Sequence, residues 1–388
     1  MISVATALDH VLALVGPLGA ECVPLRSAAG RVLAEPCFAR RNQPPFPAAA
    51  MDGYAVSGDP SAGDRFHVIG ESAAGHGYAG TIAPDQAVRI FTGAPVPEGA
   101  TRILIQEDVI RDGDTITCGS DLDENPYIRA AGSDFRTGTR FYPSGRLRAV
   151  DIALLAAMNH ADVPVRRRPQ VALIATGDEL VMPGEVPRCD QIVTSNTFGL
   201  AAMIEAAGGI ARMLPVARDT PTSLSAAFDL ARGADLIVTI GGASDGDHDL
   251  VASVAEARGM ERSFYKVAMR PGKPLMAGRI GGTAMVGLPG NPVSSMVCGT
   301  IFILPMIRAM LGLKVTTPTA TARLTAALPA NGSRAHYMRG SRTADGVAPV
   351  ESQDSARLHL LADADVLIVR QPDDPARNVG DTVTVIDL

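Results

Sequence analysis

The sequence predicts a multidomain protein of the α/β plus β class, with a mostly parallel α/β domain flanked by β-rich segments. From residue 170 to about residue 311, short β-branched runs alternate with segments of helical periodicity, which is typical of βαβ units. Residues 66–109 and the chain after residue 314 instead contain short strand-like runs separated by Gly, Pro and Asp, as in compact β domains. A chain of 388 residues is also too long for one ordinary core.

Composition limits the functional class. Hydrophobic residues make up 46% of the chain and charged residues 20%, with a formal net charge of -6. This balance is globular and argues against nucleic-acid binding through overall positive charge, so any anion site must be local. The five cysteines contain no C-x-x-C pair, which favours a reducing compartment, buried thiols and no structural zinc. We therefore expect a cytoplasmic protein without a nucleic-acid partner.

Neither apolar segment of the sequence predicts a membrane partner. Residues Val4–Val15 have helical spacing, but no basic region precedes them, and Asp9 and His10 interrupt the apolar run, so the segment is an amphipathic helix rather than a signal peptide. The most apolar later run, Val297–Leu311, contains a proline and an arginine and is too short to cross a bilayer.

Polar turns in the first half carry candidate site residues. A proline-rich stretch ends at a turn with Asp52 that leads into a predicted strand, and this carboxylate is either a turn cap or a functional group. Thr92 and Gly93 follow another strand-like run, where they form either a ligand contact or a plain turn. Asp134 lies among charged residues around glycine turns, a pattern typical of a solvated loop. A helix is predicted for 149–158.

In the second half, several predicted strands end in polar turns. The first strand of the α/β domain is followed by Glu179, and the strand after residue 210 is expected to end at Asp219. The apolar run Asp235–Ile240 ends at Gly241 and Gly242, which let the backbone turn and bring its N–H groups close to a ligand. Ligands bind at the carboxyl ends of parallel strands. The turns therefore predict a site for a polyanionic ligand with a metal ion.

Helix signals separate these turns. The first predicted helix of the domain has Ser195 or Asn196 as its N-cap, and the second is capped by Thr220 with Pro221 in its first turn. The last and longest helix is predicted from about Val293 to Leu311. With right-handed crossovers, such helices cover both faces of the sheet.

Six motifs in the chain resemble, in order and spacing, the MoeA-type family of molybdopterin molybdenumtransferases over essentially the whole length. These motifs are Met51–Val56, Phe91–Pro95, Thr176–Leu180, Gly241–Ser244 with Asp249, Pro271–Pro274 and Gly287–Pro292. The resemblance implies an enzyme of molybdenum cofactor biosynthesis that inserts molybdate into adenylylated molybdopterin, with Mg2+ and release of AMP.

The resemblance also implies a domain organisation. Residues 1–40 and 137–168 would form a discontinuous, elongated N-terminal domain, and 41–136 an inserted β-rich domain. Residues 169–314 would form the molybdopterin-binding α/β domain, and 315–388 a C-terminal β-barrel domain. The implied partners are a second copy of the chain, with the active site at the dimer interface, and other molybdenum-cofactor synthesis proteins.

Family positions carried over to this chain predict the site residues. The catalytic group is Asp52, Glu179, Asp219 and Asp249, and of these Glu179 and Asp249 are the expected metal ligands. The substrate-binding group is Thr92, Asp134, Gly241, Gly242, Ser244, Lys266, Arg270, Lys273, Pro289, Gly290 and Asn291. Carboxylates are hard oxygen ligands suited to Mg2+, whereas cations and turn N–H groups neutralise phosphate and oxyanion charge.

Some residues depart from the family pattern, and two other functions remain open. Pro47 and Ala49 replace the usual acidic residue and serine, Asp245 replaces an apolar residue, and Arg270 stands where lysine is common. One alternative is a molybdopterin adenylyltransferase, which shares the α/β module, although the additional domains favour the insertion step. The other is a carrier or scaffold that binds molybdopterin without catalysis.

Overall fold

The computed structural model describes residues 1–242 and 250–388, which divide into two compact units. Unit 1 comprises Met1–Glu21, Gly30–Ala34 and Val165–Leu388, and unit 2 comprises Cys22–Ala29 and Glu35–Pro164. The predicted division into four domains is a finer one and stays a prediction.

Unit 1 is built on a six-stranded sheet that confirms the predicted α/β class. Its strands, in spatial order, are Ile210–Met213, Gln170–Ala175, Leu236–Ile240, Thr283–Leu288, Pro274–Ile280 and Glu261–Lys266. The first four are parallel, and the last two pair antiparallel. The prediction that the first of these strands extends to Asp219 is wrong, because it ends at Met213. Pro215 follows shortly after and has no N–H for a ladder hydrogen bond.

Alternate residues of the central strands enter two different cores. Leu173 and Val238 belong to one buried cluster and Ile174 and Ile237 to another, so helices cover both faces as predicted. The first face carries Val4–Ala13, Asn196–Ala206 and the segment from Pro292 to Met310, and the second carries Pro221–Leu230 and Leu250–Ala257. Thr220 caps its helix by accepting a hydrogen bond from Ser223 N, as its position predicted.

The longest helix in the described part of the chain runs from Pro292 to Met310. A π-helical turn, Gly299–Ile303, separates the α-helical segments Pro292–Cys298 and Leu304–Met310. With 19 residues and a mean hydropathy of 1.6, it meets the length and composition of a membrane span, so the prediction that this apolar run is too short to cross a bilayer is wrong. However, 78% of this segment is buried inside the fold, which accounts for its apolar composition as a core helix.

The C-terminal part of unit 1 forms a second sheet. Its strands, in spatial order, are Met269–Arg270, Ala335–Thr343, Val366–Arg370, Thr382–Asp387 and Ala320–Arg323, with Gly346–Pro349 paired to Ala335–Thr343. One isolated bridge joins Leu324 to Val347. The closed barrel stays a prediction. A short helix, His359–Ala362, and the strand pair Leu180–Val181 with Ile192–Val193 complete the elements of unit 1.

Unit 2 contains a mostly antiparallel six-stranded sheet, as the β-rich sequence predicted. Its strands, in spatial order, are Arg102–Ile105, Gly53–Val56, Gln86–Ile90, Arg65–Ser72, Thr115–Cys118 and Val109–Asp112. Smaller antiparallel pairs join Cys37–Phe38 to Arg140–Phe141 and Ala48–Ala49 to Ile128–Arg129. The remaining elements are the predicted helix, found at Ala149–Ala157, the 3-10 turns Leu25–Ser27 and Gln106–Asp108, and the strands Ala20–Pro24 and Asp162–Arg166, whose residues cross the unit boundary.

Candidate active site

A cavity of about 730 Å³ opens at the carboxyl ends of the parallel strands in unit 1. Turns after three strands line it together with the starts of two helices and a segment of the C-terminal region. The residues used below are Thr176, Gly177, Glu179, Ser195, Asn196, Asp219, Gly241, Gly242, Pro289, Gly290, Asn291, Ala356 and Leu358. Polar turns that are far apart in sequence therefore meet at one sheet edge, as the strand order requires.

Two glycine turns approach each other in this cavity. Gly241 has φ +93°, and a Cβ at this position would lie 2.8 Å from the carbonyl oxygen of Thr176. The position of a Cβ on Gly290 is 3.5 Å from the Cα of Gly241. The first turn thus requires glycine for both its backbone conformation and its close packing, and it exposes main-chain atoms to the cavity.

Carboxylates give one side of the cavity a negative character. Desolvation raises the pKa of Asp219, and the negative charges of Asp178 and Glu179 raise it further. The Glu179 carboxyl group lies over Gly177, where a Cβ would collide with it. Within the described ranges, no three His, Cys, Asp or Glu side chains are arranged to hold a metal ion.

The helix that begins at Pro292 presents its first turn to the same cavity. Its N-cap, Asn291, makes no side-chain capping bond, and its amide instead donates to Ser355 Oγ at 3.2 Å. The Ser355 carbonyl accepts a hydrogen bond from Val293 N at 3.1 Å. Asn196 Nδ2, at the start of a second helix, donates to the Gly290 carbonyl at 2.7 Å. These bonds fix the turn between the two helix starts.

A buried arginine holds the C-terminal segment that contributes to this wall. Arg339 is only 1% exposed, and its guanidinium group donates to the carbonyl oxygens of Ser352, Asp354 and Arg357, each at 2.9 Å. Because three carbonyls of one loop share one planar donor group, the loop has a defined shape. Arg339 therefore positions Ser355 and its neighbours without lining the cavity itself.

Thr176 begins one of the six motifs but was not among the predicted site residues. Its side chain lines the cavity, the residue is 4% exposed, and no described atom forms a hydrogen bond with its Oγ1. A buried hydroxyl without a partner is costly unless a ligand or water satisfies it. Its place at the start of the motif Thr176–Leu180, directly after a predicted strand, was the sequence feature that could have identified it.

The predicted basic residues lie outside the lining of this cavity. Lys266 ends the strand Glu261–Lys266, with its Nζ 5.5 Å from the centre of the Tyr265 ring. Arg270 lies on a strand paired with the second sheet, and Lys273 precedes Pro274, which does line the cavity. Burial lowers the pKa of His336 to about 4, with Arg270 the largest electrostatic contributor.

Two predicted site residues of unit 2 contact each other. Asp52 Oδ1 accepts hydrogen bonds from the backbone N–H and the hydroxyl of Thr92, both at 2.7 Å. The backbone bond is the largest cause of a lowered pKa of Asp52, followed by the hydroxyl bond, and the charge of Arg89 also contributes. The two hydrogen bonds from Thr92 therefore support the turn-capping interpretation of Asp52.

Asp134 lies at a different place in unit 2. It lines a cavity of about 640 Å³ together with Gly93, Ser133, Arg41 and Arg129. Asp134 N donates to the Gln43 carbonyl at 3.0 Å, which fixes the loop that carries it. Gly93 has φ +82° and belongs to the same turn as Thr92, so the motif Phe91–Pro95 adjoins the cavity that Asp134 lines.

The predicted site residues thus fall into four groups, one of which is the basic set Lys266, Arg270 and Lys273 that lies outside the cavity lining. The unit 1 cavity brings together Glu179, Asp219, Gly241, Gly242, Pro289, Gly290 and Asn291. Unit 2 carries Asp52, Thr92 and Asp134. Ser244 and Asp249, like the departure at Asp245, lie outside the described residues. The C-terminal lining residues Ala356 and Leu358 were missed, because no local pattern in the sequence marks them.

Comparison with known proteins covers nearly the whole chain. The family description "MoeA N-terminal region (domain I and II)" matches residues 2–159, "Probable molybdopterin binding domain" matches 172–309, and "MoeA C-terminal region (domain IV)" matches 321–388. Together these matches confirm the family that the sequence motifs indicated.

Individual relatives agree with this assignment. A protein from Nostoc sp. named molybdopterin molybdenumtransferase is 33% identical over 386 residues, covering 95% of this chain and 88% of the relative. Molybdopterin molybdenumtransferase 2 from Mycobacterium tuberculosis is 35% identical over 382 residues, covering 94% of each chain. The crystal structure of a molybdopterin biosynthesis MoeA protein from Pyrococcus horikoshii superposes with a TM-score of 0.89 at 30% identity, covering 100% of this chain and 99% of the other. The chain therefore belongs to the MoeA family.

Proposed function

We propose that this protein is a molybdopterin molybdenumtransferase of molybdenum cofactor biosynthesis. The observation that carries the proposal is the unit 1 cavity, in which Glu179 and Asp219 lie near glycine turns and helix starts in a MoeA-family chain. The turns provide main-chain groups for a phosphate, and the carboxylates provide hard oxygen atoms. This combination suits a phosphorylated substrate handled together with a cation.

The finer proposal is that the substrate is adenylylated molybdopterin, that molybdate is the second substrate, and that AMP is released with the help of Mg2+. A divalent cation would offset the negative charges of Asp178 and Glu179, which add to desolvation in raising the pKa of Asp219, although the described residues contain no three His, Cys, Asp or Glu side chains arranged around a metal. Glu179, with Asp249, would hold Mg2+, which when bound would neutralise phosphate charge. Asp219 would remain close enough to interact with the same cation electrostatically.

The chain's own residues would act by positioning the substrates. Gly241, Gly242 and the turn Pro289–Asn291 would hold the phosphate part, with Ser244 as a further contact. Lys266, Arg270 and Lys273 would supply positive charge for phosphate and incoming oxyanion, and Asp52, Thr92 and Asp134 would complete the substrate contacts. Oriented reactants and neutralised charge can lower the barrier without a covalent enzyme intermediate.

Further proposals concern the assembly. A homodimer whose interface completes the site, a cytoplasmic location and interactions with other molybdenum-cofactor synthesis proteins are all inferred from the family resemblance. The division into four domains is also proposed on the basis of the family resemblance. A sedimentation measurement on the purified protein tests the dimer directly, and a monomer at working concentration would exclude it.

The function is tested with purified protein, adenylylated molybdopterin, Mg2+ and molybdate. We expect molybdate to trigger AMP release together with molybdenum incorporation. Tight binding of the pterin substrate without turnover would instead indicate a carrier, and adenylylation of free molybdopterin from ATP would indicate the adenylyltransferase. Chelation of Mg2+ should stop the reaction, and its restoration should recover the rate.

A further inference from the structure

Arg89 lies half-buried within the six-stranded sheet of unit 2 and was not among the predicted site residues. Its strand, Gln86–Ile90, pairs antiparallel with Gly53–Val56, and Tyr54 lies directly opposite Arg89 in that pairing. Phe91 follows two positions later in the chain. Because facing residues and alternate residues of a strand project to the same side, these three side chains share one face of the sheet.

The guanidinium group of Arg89 is held by two aromatic rings and two hydrogen bonds. Its central carbon lies 5.0 Å from the centre of the Tyr54 ring and 4.7 Å from that of the Phe91 ring, within the range of cation–π attraction. Its two terminal nitrogens donate to the Gly53 carbonyl at 3.1 Å and to Gln106 Oε1 at 2.7 Å. Both acceptors are neutral oxygen atoms, so neither cancels the positive charge.

These contacts surround the hydrogen-bonded pair of Asp52 and Thr92. In the chain, Gly53 directly follows Asp52, and Phe91 directly precedes Thr92. The third contact, Gln106, donates its backbone N–H to the Asp52 carbonyl at 3.1 Å. One planar group with donors in a fixed arrangement therefore joins the three segments that meet at this pair.

We propose that Arg89 is a positioning residue for the insertion reaction, which holds Asp52 and Thr92 in the geometry that their substrate contacts require. The inference rests on the proposed function and assigns a role to a residue outside the motifs Met51–Val56 and Phe91–Pro95. Arg89 acts through the residues next to the pair and not by touching the substrate. A small displacement of a substrate contact can slow a reaction strongly, even when the altered residue is far from the chemistry.

The charge of Arg89 has a second effect, which must be separated from its geometry. The backbone and hydroxyl bonds from Thr92 lower the pKa of Asp52 most, and the charge of Arg89 lowers it further. The neighbouring charged groups are negative: Glu71 lies beside Arg89 in the pairing of their strands, and Glu107 accepts a hydrogen bond from the side-chain amide of the preceding residue. Loss of the arginine charge should therefore raise the pKa of Asp52.

Two variants of Arg89 separate geometry from charge. Arg89→Met removes both, whereas Arg89→Lys keeps the charge and loses the planar donor group. In both variants we expect the Thr92 amide, which donates to Asp52 Oδ1, to exchange its hydrogen about fivefold faster, the scale of one lost hydrogen bond. The insertion rate should fall by about 100-fold in both. The pKa of Asp52 from carboxyl NMR should rise in Arg89→Met and stay unchanged in Arg89→Lys.

Arg111→Met is the matched control. Arg111 is exposed on the edge strand Val109–Asp112 of the same sheet, where its side chain donates to the Gly113 carbonyl at 2.9 Å. This variant should leave the Thr92 amide exchange and the insertion rate unchanged. Gln106→Leu is a milder variant that removes one acceptor and keeps the arginine, and it should change both quantities in the same direction but less. Circular dichroism checks that every variant is folded.

Three results would overturn the inference. They are unchanged Thr92 exchange in Arg89→Met, a full insertion rate in Arg89→Lys, which would show that charge alone suffices, and equal effects of Arg111→Met, which would indicate a general loosening of the sheet. The exchange measurement needs no turnover, so any of these results beside normal insertion by the unmodified protein would reject the role of Arg89 and retain the proposed function. An unmodified protein that fails to insert molybdenum would reject the function, whereas faster Thr92 exchange in Arg89→Met would still support the link between Arg89 and the pair.

Discussion

Asp52 and Thr92, which are 40 positions apart, are joined by two hydrogen bonds of 2.7 Å that converge on the same carboxylate oxygen. One sequence motif therefore holds another in place. The Asp52 carboxylate therefore has a structural role in unit 2 in addition to the catalytic role proposed for it. Different variants are needed to separate the two roles.

The first prediction separates these tasks at Asp52. Asp52→Asn keeps an acceptor oxygen for Thr92 but removes the charge, so we expect little change in melting temperature and a fall in the molybdenum insertion rate of about 100-fold, the scale of one electrostatic contact in an active site. Thr92→Val removes the hydroxyl bond alone. An unchanged rate for Asp52→Asn would leave Asp52 as a turn cap only.

The same contact predicts a pH dependence. Because the hydrogen bonds from Thr92 lower the pKa of Asp52 below its ordinary value of 3.8, its contribution to stability is present above that value and is lost as the pH falls through the folded-state pKa. In Thr92→Val the pKa should move back toward the ordinary value. Carboxyl NMR titration of both proteins measures this shift, and identical titration curves would contradict it.

The second carboxylate prediction has the opposite sign. The pKa of Asp219 is raised by desolvation and by Asp178 and Glu179, so its ionisation costs stability as the pH rises from the ordinary value near 3.8 through the raised one. Mg2+ should relieve this cost and raise the melting temperature more at neutral than at acidic pH. Asp219→Asn should lose most of that pH-dependent gain. If Mg2+ raised the melting temperature of Asp219→Asn with the same pH dependence as that of the unmodified protein, a cation beside Asp219 would be ruled out.

A third prediction concerns Glu179 as a metal ligand. Glu179→Gln should weaken the apparent affinity for Mg2+ and lower the insertion rate by about 100-fold or more, because a neutral amide is a poorer ligand for a hard cation. Glu205→Gln is a control on an exposed residue of the helix Asn196–Ala206. Magnesium titrations of the rate compare the two, and similar curves would reject the assignment.

The glycine turn gives a prediction about backbone packing. Gly241→Ala should destabilise unit 1 and weaken phosphate-ligand binding, since the added methyl would lie 2.8 Å from the Thr176 carbonyl. Gly233→Ala has a similar positive φ, +80°, but no atom within 4 Å of the added carbon, so it should lose only the about 1–2 kcal/mol of a left-handed residue. Denaturant titration measures both, and equal losses would show that steric approach is unimportant.

The sequence predicted those features that depend on local periodicity. The apolar run before Gly241 forms the strand Leu236–Ile240, and Thr220 caps the helix that follows Asp219. The sequence did not predict features that depend on contacts between residues far apart in the chain. Nothing near Ser355 in the sequence predicts that it reaches the turn at Asn291, because that contact depends on the loop held by the buried guanidinium group of Arg339. Likewise, the strand Ile210–Met213 ends before Pro215, although its sequence pattern predicted a strand that continues to Asp219.

The Ser355 carbonyl accepts a hydrogen bond from Val293 N at the start of the helix. A bound anion would therefore compete with the C-terminal region for this N–H group. An anion that took this N–H would have to displace the carbonyl, so its gain would be the difference between two hydrogen bonds and not a whole one. The exchange would also free the loop that Arg339 holds. Ligand affinity at this turn and the local stability of the C-terminal loop are therefore thermodynamically linked, and a change that loosens the loop would tighten the binding of such an anion.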